Sequence, residues 1–307
     1  MKRRLFFGTA FSGLARAQAP RPKAGGIPKR PLGRTGENLT IVGMGGARFH
    51  LIPFEDGVAL VRRAYDLGLN YFDMARSYWE GHAEEVYGAA IGPFRKNIFL
   101  TSKSGVRSRA GAMKELETSL RLMKTDYVDL WQIHGVNTQK DVDQVLASGG
   151  ALEAFVEAKK AGKCRFIGFT GHADPAFNLQ MLRGYDGFDT TLMPLHACDT
   201  QYLSFEKLML PAAKERGLGI FGMKIFGNAF LLRTFSVATC LRYTLSLPVT
   251  AAVLGFSSQG QLEDDVRIAQ SFSPMTAEEV SAVQARAALD RFDVIKGPAL
   301  EYWKRQM

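Results

Sequence analysis

From residue 39 onward the apolar positions follow one repeating order. A short β-branched run gives way to a loop of polar or Gly residues, then to an amphipathic stretch of helical spacing, then to a Gly that stops it. Val58, Val61, Ala64 and Tyr65 recur at helical spacing, Gly68 closes the helix, and Asn70-Tyr71-Phe72-Asp73 follows as a strand. Leu152, Phe155 and Val156 lead through Gly162 to Phe166-Ile167-Gly168-Phe169, and Leu208, Ala212 and Ala213 lead through Gly217 to Ile220-Phe221-Gly222-Met223. The spacing predicts eight strands, near 39–45, 70–73, 97–102, 127–133, 164–170, 190–194, 219–224 and 250–254, each followed by a helix. Runs that are apolar on both faces, such as 128–133, suit a parallel sheet covered by helices. Eight such units favour an α/β fold of the closed (β/α)8 TIM-barrel type. The segment Gly43-Met44-Gly45-Gly46 lacks the G-x-G-x-x-G spacing, which leaves an open dinucleotide-binding sheet as the alternative.

The flanks add three expectations. Arg30 to Leu39, turning around Arg34-Thr35-Gly36, form an N-terminal β-hairpin that closes the bottom of the barrel. Residues 276–289 start with a Thr cap and give a C-terminal helical tail. Residues 1–19 combine a basic start containing Arg3-Arg4, an apolar run from Leu5 to Ala15, and the small-residue ending Ala17-Gln18-Ala19. This pattern resembles a twin-arginine export signal, although Arg16 and Pro20 crowd the cleavage point. The run is too short to span a bilayer of about 30 Å, so no stable membrane insertion is expected once the signal is removed. The expected location is therefore periplasmic or otherwise extracytoplasmic, with a basic tail on a cytoplasmic protein as the alternative. Residues 20–30 read as a linker and 31–307 as the barrel domain.

Composition narrows the classes. With 46% hydrophobic residues in a chain of 307, a disordered, collagen-like or disulfide-stapled protein is excluded. Cys164, Cys198 and Cys240 are too far apart for a C-x-x-C pair. The net charge of +9 includes Lys2, Arg3, Arg4 and Arg16, all ahead of residue 20, and no basic stripe interleaved with aromatics follows them. Nucleic acid is thus not the expected partner; a small phosphate-bearing ligand is.

In such a barrel the chemistry sits at the C-terminal strand ends. Asp73, Tyr78, Lys103 and His134 fall there on three successive units. Taken singly they read as a cap, a loop anchor, a solvated charge and a core-edge polar residue. Taken together they make a proton donor. A phenol with a reference pKa of about 10 is a poor acid at neutral pH, and an ammonium at about 4 Å in an effective dielectric near 20 favours the phenolate by roughly 4 kcal/mol, or about three pKa units. Asp73 would hold the lysine and keep it charged, while His134 would donate to the substrate oxygen.

The strings YFDMARSYWEGHAEEVYG, TSK at 101–103, DLWQIHGV at 129–136 and RPLGRTGENLTIVGMGG at 30–46 resemble the aldo-keto reductase family over residues 30 to 270. The resemblance implies reduction of aldehydes and ketones with NADPH, with Tyr78 as general acid, Lys103 and Asp73 tuning it, and His134 orienting the carbonyl. Its implied cofactor set is Gly45, Thr170, Gly171, Met223, Lys224, Phe226, Gly255, Ser257, Ser258, Gln261, Asp264 and Asp265. Several of these depart from the family pattern. Gly171 replaces an amide residue, Leu192 replaces a glutamine, and Met223 stands where an aromatic often stacks. Gln261 stands where an arginine would grasp the 2′-phosphate, and Asp265 where an asparagine would meet adenine. NADH is therefore the alternative nucleotide. The Met223-Lys224 pair resembles a subgroup of which some members append an iron-sulfur segment, and the lack of cysteines after 240 leaves no expectation of a cluster here.

Trp79, His172 and His196 are expected to line the substrate pocket and to suit a planar or sugar-like carbonyl compound. Two other readings use the same residues. One is a non-catalytic or very slow nucleotide sensor on the same barrel; the other is a metal-dependent hydrolase using His134, His172 and His196. Neither the substrate nor the oligomeric state is readable from the sequence.

Overall fold

The computed structural model describes residues 25–296. Two short strands come first, β1 (Lys29–Pro31) and β2 (Asn38–Thr40), antiparallel with Arg30 opposite Leu39. Eight parallel strands then close a barrel: β3 (Val42–Gly45), β4 (Tyr71–Asp73), β5 (Phe99–Ser104), β6 (Val128–Ile133), β7 (Cys164–Thr170), β8 (Thr190–Pro194), β9 (Gly219–Met223) and β10 (Ala251–Gly255), with β10 paired to β3 to complete the ring. The helices outside the ring are α1 (Phe54–Asp66), α2 (His82–Ala90), α3 (Arg109–Leu122), α4 (Gln139–Leu146), α5 (Ala151–Lys160), α6 (Pro175–Gly184), α7 (Phe205–Glu215), α8 (Val237–Ser246) and α9 (Gln259–Gln270). A tail helix, α10 (Ala277–Lys296), follows them, opened by reciprocal bonds between Thr276 and Glu279.

Three expectations need correction. The strand predicted over 39–45 is two strands. Leu39 and Thr40 pair with β1, whereas Val42 pairs with Ala252. The switch is fixed by Asn70, whose side chain accepts from the Thr40 N–H, and by the Thr40 hydroxyl, which turns back to the Val42 carbonyl. The linker drawn over 20–30 ends earlier, because Arg30 donates to the Val249 and Leu245 carbonyls at 2.8 Å each and so anchors β1. Between β6 and β7 lie two helices rather than one, the extra α4 being started by a capping box of Thr138 and Asp141. The proposed export signal lies outside the described residues.

The period of two along each strand decides what fills the barrel. Tyr71, Phe99, Leu130, Leu192 and Phe221 form an apolar interior, and Leu32 and Leu39 of the hairpin enter it from below. Burying each leucine contributes about 2 kcal/mol, and the Arg34 guanidinium pins the turn to the Asp186 and Phe188 carbonyls. The hairpin therefore plugs the bottom, as its sequence suggested. Two residues further along β4 and β5 the interior turns polar: Asp73 stands above Tyr71, and Thr101 then Lys103 stand above Phe99. The open, polar end is the C-terminal one, where the strand-to-helix loops meet. Among the described residues no helix is long and apolar enough to cross a membrane.

Candidate active site

Asp73, Tyr78, Lys103 and His134 converge at the polar end. Lys103 is 1% exposed; its ammonium is paired with Asp73 Oδ1 and donates to the Met74 carbonyl at 2.5 Å. The same ammonium lies 5.2 Å from the centre of the Tyr78 ring, close enough for the two groups to influence each other's charge. Asp73 Oδ2 accepts from the Tyr71 hydroxyl at 3.3 Å. His134 meets the Tyr78 ring edge-on at 5.9 Å, and its Nδ1 is 3.3 Å from the Ser77 hydroxyl.

The loop carrying Tyr78 is held by a second set of charges beneath it. Arg76 bridges Glu84, itself wholly buried and accepting from the Ser102 hydroxyl at 2.7 Å, and also donates to the Glu80 carbonyl. Trp79 and Glu80 are forced into the left-handed region at φ 55° and 56°, a strained geometry of the kind that clusters at functional sites. This strain turns Trp79 out of the cleft. It is 50% exposed, stacked on His50 at 3.6 Å and tied to the Ala47 carbonyl, so it does not line the cavity as expected.

Electrostatics modify the argument made from sequence. Burial raises the Tyr78 pKa more strongly than the Lys103 charge lowers it, so the phenol stays above its ordinary value rather than falling toward neutrality. Burial likewise raises Asp73, opposed by Lys103 and by the Tyr71 hydroxyl. For Lys103 burial acts downward, but Asp73 and Tyr78 together outweigh it and the ammonium is held above its usual value. His134 is pushed well below its ordinary range by burial and then by Lys103 and other cations, and His172 falls to about 3 for the same kind of reason. Both rings are neutral at physiological pH.

Above these residues opens a cavity of about 720 Å3, within the range of small-molecule sites. Gly45, Met223, Lys224, Phe226, Gly255, Ser257, Gln261 and Asp265 line it as expected, together with Tyr78, His134 and His172. Other members of the expected set are engaged elsewhere. The Thr170 hydroxyl accepts from the Gly135 N–H, and Ser258 caps α9. Asp264 pairs with Arg267 on the surface. Gly171 has no room for a side chain because the Asn178 amide fills that space. His196 is 0% exposed and lies outside the cavity lining, which removes it from the pocket and from the proposed metal trio. Among the described residues no group of His, Cys, Asp and Glu could hold a metal ion. Gln261 folds back, its Oε1 accepting from the Ser257 N–H and hydroxyl at 3.0 Å each.

Sequence reasoning missed Arg48, Leu51, Ile225 and Leu232, which also line the cavity. Arg48 had a usable signal, since it follows directly on β3 at the C-terminal end of the barrel. Arg48 and Lys224 have no carboxylate partner among the described residues, and the Lys224 pKa is lowered by burial and then by Arg48. Arg48 after β3 and Lys224 after β9, together with the His172 Nδ1 that is buried in the lining without a partner among the described residues, fit a polyanionic nucleotide.

The model of the Aldo/keto reductase family matches residues 41–237. The uncharacterized oxidoreductase YqkF of Bacillus subtilis (strain 168) is 26% identical over 310 residues, covering 85% of this chain and 97% of that one. L-galactose dehydrogenase of Arabidopsis thaliana is 26% identical over 310 residues, covering 86% and 95%. Among solved structures, the holo form of aldo-keto reductase AKR11C1 from Bacillus halodurans superposes with a TM-score of 0.73 at 24% identity, over 85% of this chain and 96% of that one. The closed barrel is thus a fold shared with a solved aldo-keto reductase, and with the family model matched over 41–237 the chain belongs to the aldo/keto reductase family, NAD(P)H-dependent oxidoreductases that act on carbonyl compounds.

Proposed function

We propose that the protein reduces an aldehyde or ketone of a small molecule to the alcohol, with Tyr78 as the general acid. The observation that carries this reading is the placement of the Lys103 ammonium between the Asp73 carboxylate and the Tyr78 ring, both of which line a cavity that also holds Arg48 and Lys224.

A nicotinamide nucleotide held by residues of this cavity would supply the hydride for the carbonyl carbon. The chain's own residues supply the rest. Burial keeps Tyr78 protonated, so the donor is populated at physiological pH, while Lys103 lowers the cost of the phenolate left after transfer. Asp73 keeps Lys103 charged and in place. In the tautomer that carries its hydrogen on Nε2, the neutral His134 accepts from the Ser77 hydroxyl at Nδ1 and can point a substrate oxygen toward Tyr78. Arg48 and Lys224 would hold the nucleotide's diphosphate.

His134 and His172 beside the apolar surfaces of Leu51, Ile225 and Leu232 suit a planar or sugar-like carbonyl compound. A sugar is also what the name of the Arabidopsis relative indicates for that protein. The proposed nucleotide is NADPH with NADH as its rival, because Gln261 offers a 2′-phosphate no charged partner. The amino-terminal motif supports export.

Fluorescence titration with NADPH and NADH, on protein beginning near residue 20, tests the reading when followed by a panel of aldehydes, quinones and keto sugars. Saturable binding with nucleotide oxidation supports it. Binding without turnover of any compound supports the nucleotide sensor instead.

A further inference from the structure

Tyr71 is a buried titratable residue to which the chemistry above gives no part. Its ring is 0% exposed and fixed from three sides: stacked on Phe221 with centroids 4.5 Å apart, edge-on to Phe99 at 6.2 Å, and set against Gly43, where any side chain would overlap the ring. A ring clamped in this way aims its hydroxyl along one direction, and that direction is Asp73. The hydroxyl donates to Oδ2 at 3.3 Å, while Lys103 occupies Oδ1. Each carboxylate oxygen therefore has its own donor, and the two donors come from adjacent strands. Burying this carboxyl disfavours its charged form, and the two donors oppose that cost. The titratable groups facing Asp73 are Lys103 from β5, Tyr71 from its own strand, Tyr78 from the following loop and Tyr87 from α2, of which only Lys103 is a cation at neutral pH.

We propose that Tyr71 is a positioning residue: by occupying Oδ2, its hydroxyl keeps the Asp73 carboxylate ionised and turned toward Lys103, and so sets the lower pH limit of the reaction. The proposal rests on the proton-donor reading of Tyr78. Without the hydroxyl, Oδ2 is left buried with no donor, the neutral carboxyl gains, and the ammonium loses its counter-charge at a higher pH than in the wild type.

The test is Tyr71→Phe in the full chain, which keeps the ring and its stacking. Asp73 is titrated by carbon-13 NMR of aspartate carboxyls, assigned with Asp73→Asn, and kcat and KM are measured across pH. The expected result is an upward shift of about one pH unit in both the Asp73 midpoint and the acidic limb of kcat, with nucleotide affinity unchanged. A midpoint and limb that stay within about 0.2 unit of wild type overturn the proposal, as does a loss of thermal stability without such a shift. If Tyr71→Phe does not fold, 3-fluorotyrosine at position 71 keeps the ring and strengthens the donor. The midpoint should then fall, and no movement overturns the proposal. Should the wild type reduce no carbonyl compound, it is the function reading that fails, and the carboxyl titration alone still decides the role of Tyr71.

Discussion

Lys103 meets Tyr78 with its ammonium 5.2 Å from the ring centre, and the same ammonium is held from beneath by Asp73. The phenol is thus under two opposed influences, burial raising its pKa and Lys103 lowering it, and burial is the larger. Lys103→Met leaves burial unopposed and strips Asp73 of its counter-ion. We predict a fall in kcat of at least about 100-fold with nucleotide Kd within about twofold of wild type. In the wild type the raised pKa keeps Tyr78 protonated, so kcat for reduction should stay level from about pH 7 to pH 9 and decline only above about pH 10. Steady-state kinetics over that range check both expectations.

His172 gives a prediction about stability. Its folded pKa of about 3 lies below the unfolded value of about 6.5, so between those values the unfolded chain binds the extra proton. The contribution of a neutral buried ring is complete above about pH 6.5 and is lost as pH falls toward 3. Urea denaturation of wild type and His172→Gln between pH 6 and pH 4 should show the slope of unfolding free energy against pH reduced in the variant, by up to about 1.4 kcal/mol per pH unit. His134 shares the direction and keeps part of the slope in both proteins. Equal slopes would contradict a neutral buried His172.

How much of this was readable beforehand depended on the physical signal each feature leaves. The eight strands and the hairpin were legible because a barrel forces an inside-outside period of two on each strand and a helical period between strands. The break at Ile41 was not, since Leu39-Thr40-Ile41-Val42 is an unpunctuated β-forming run whose division is imposed by the Asn70 side chain. That Tyr78, Lys103, Asp73 and His134 would lie together was legible because strand ends on one rim must converge. His172 and His196 sit alike after their strands, yet one lines the cavity and the other is sealed from it, a difference made by loop packing rather than by spacing. Trp79 was misplaced for want of its left-handed backbone. The direction of the Tyr78 pKa was misjudged because the ammonium is visible in the sequence and the burial is not.

Arg48 and Lys224, which have no carboxylate partner among the described residues, predict how nucleotide is held. Arg48→Gln and Lys224→Gln should each weaken ADP binding about tenfold, equivalent to about 1.4 kcal/mol, and flatten its dependence on salt. Adenosine, which lacks the diphosphate, should be unaffected. Calorimetric titration at two salt concentrations reads both; equal losses for ADP and adenosine would place these cations elsewhere in recognition.

Export is tested in cells. With Arg3 and Arg4 both replaced by lysine, a twin-arginine signal should lose function, and the full-length protein should be retained in the cytoplasm while wild type is found processed outside it. Identical fractionation of the two would support the cytoplasmic alternative.

Tyr78→Phe is the most direct trial of the central claim, since it removes one oxygen and leaves the ring, the His134 contact and the Lys103–Asp73 pair in place. Single-turnover oxidation of bound nucleotide by a carbonyl compound that the wild type reduces should slow by about 100- to 10,000-fold, with nucleotide Kd unchanged. A variant that oxidises its nucleotide at the wild-type rate would show that the proton comes from another group.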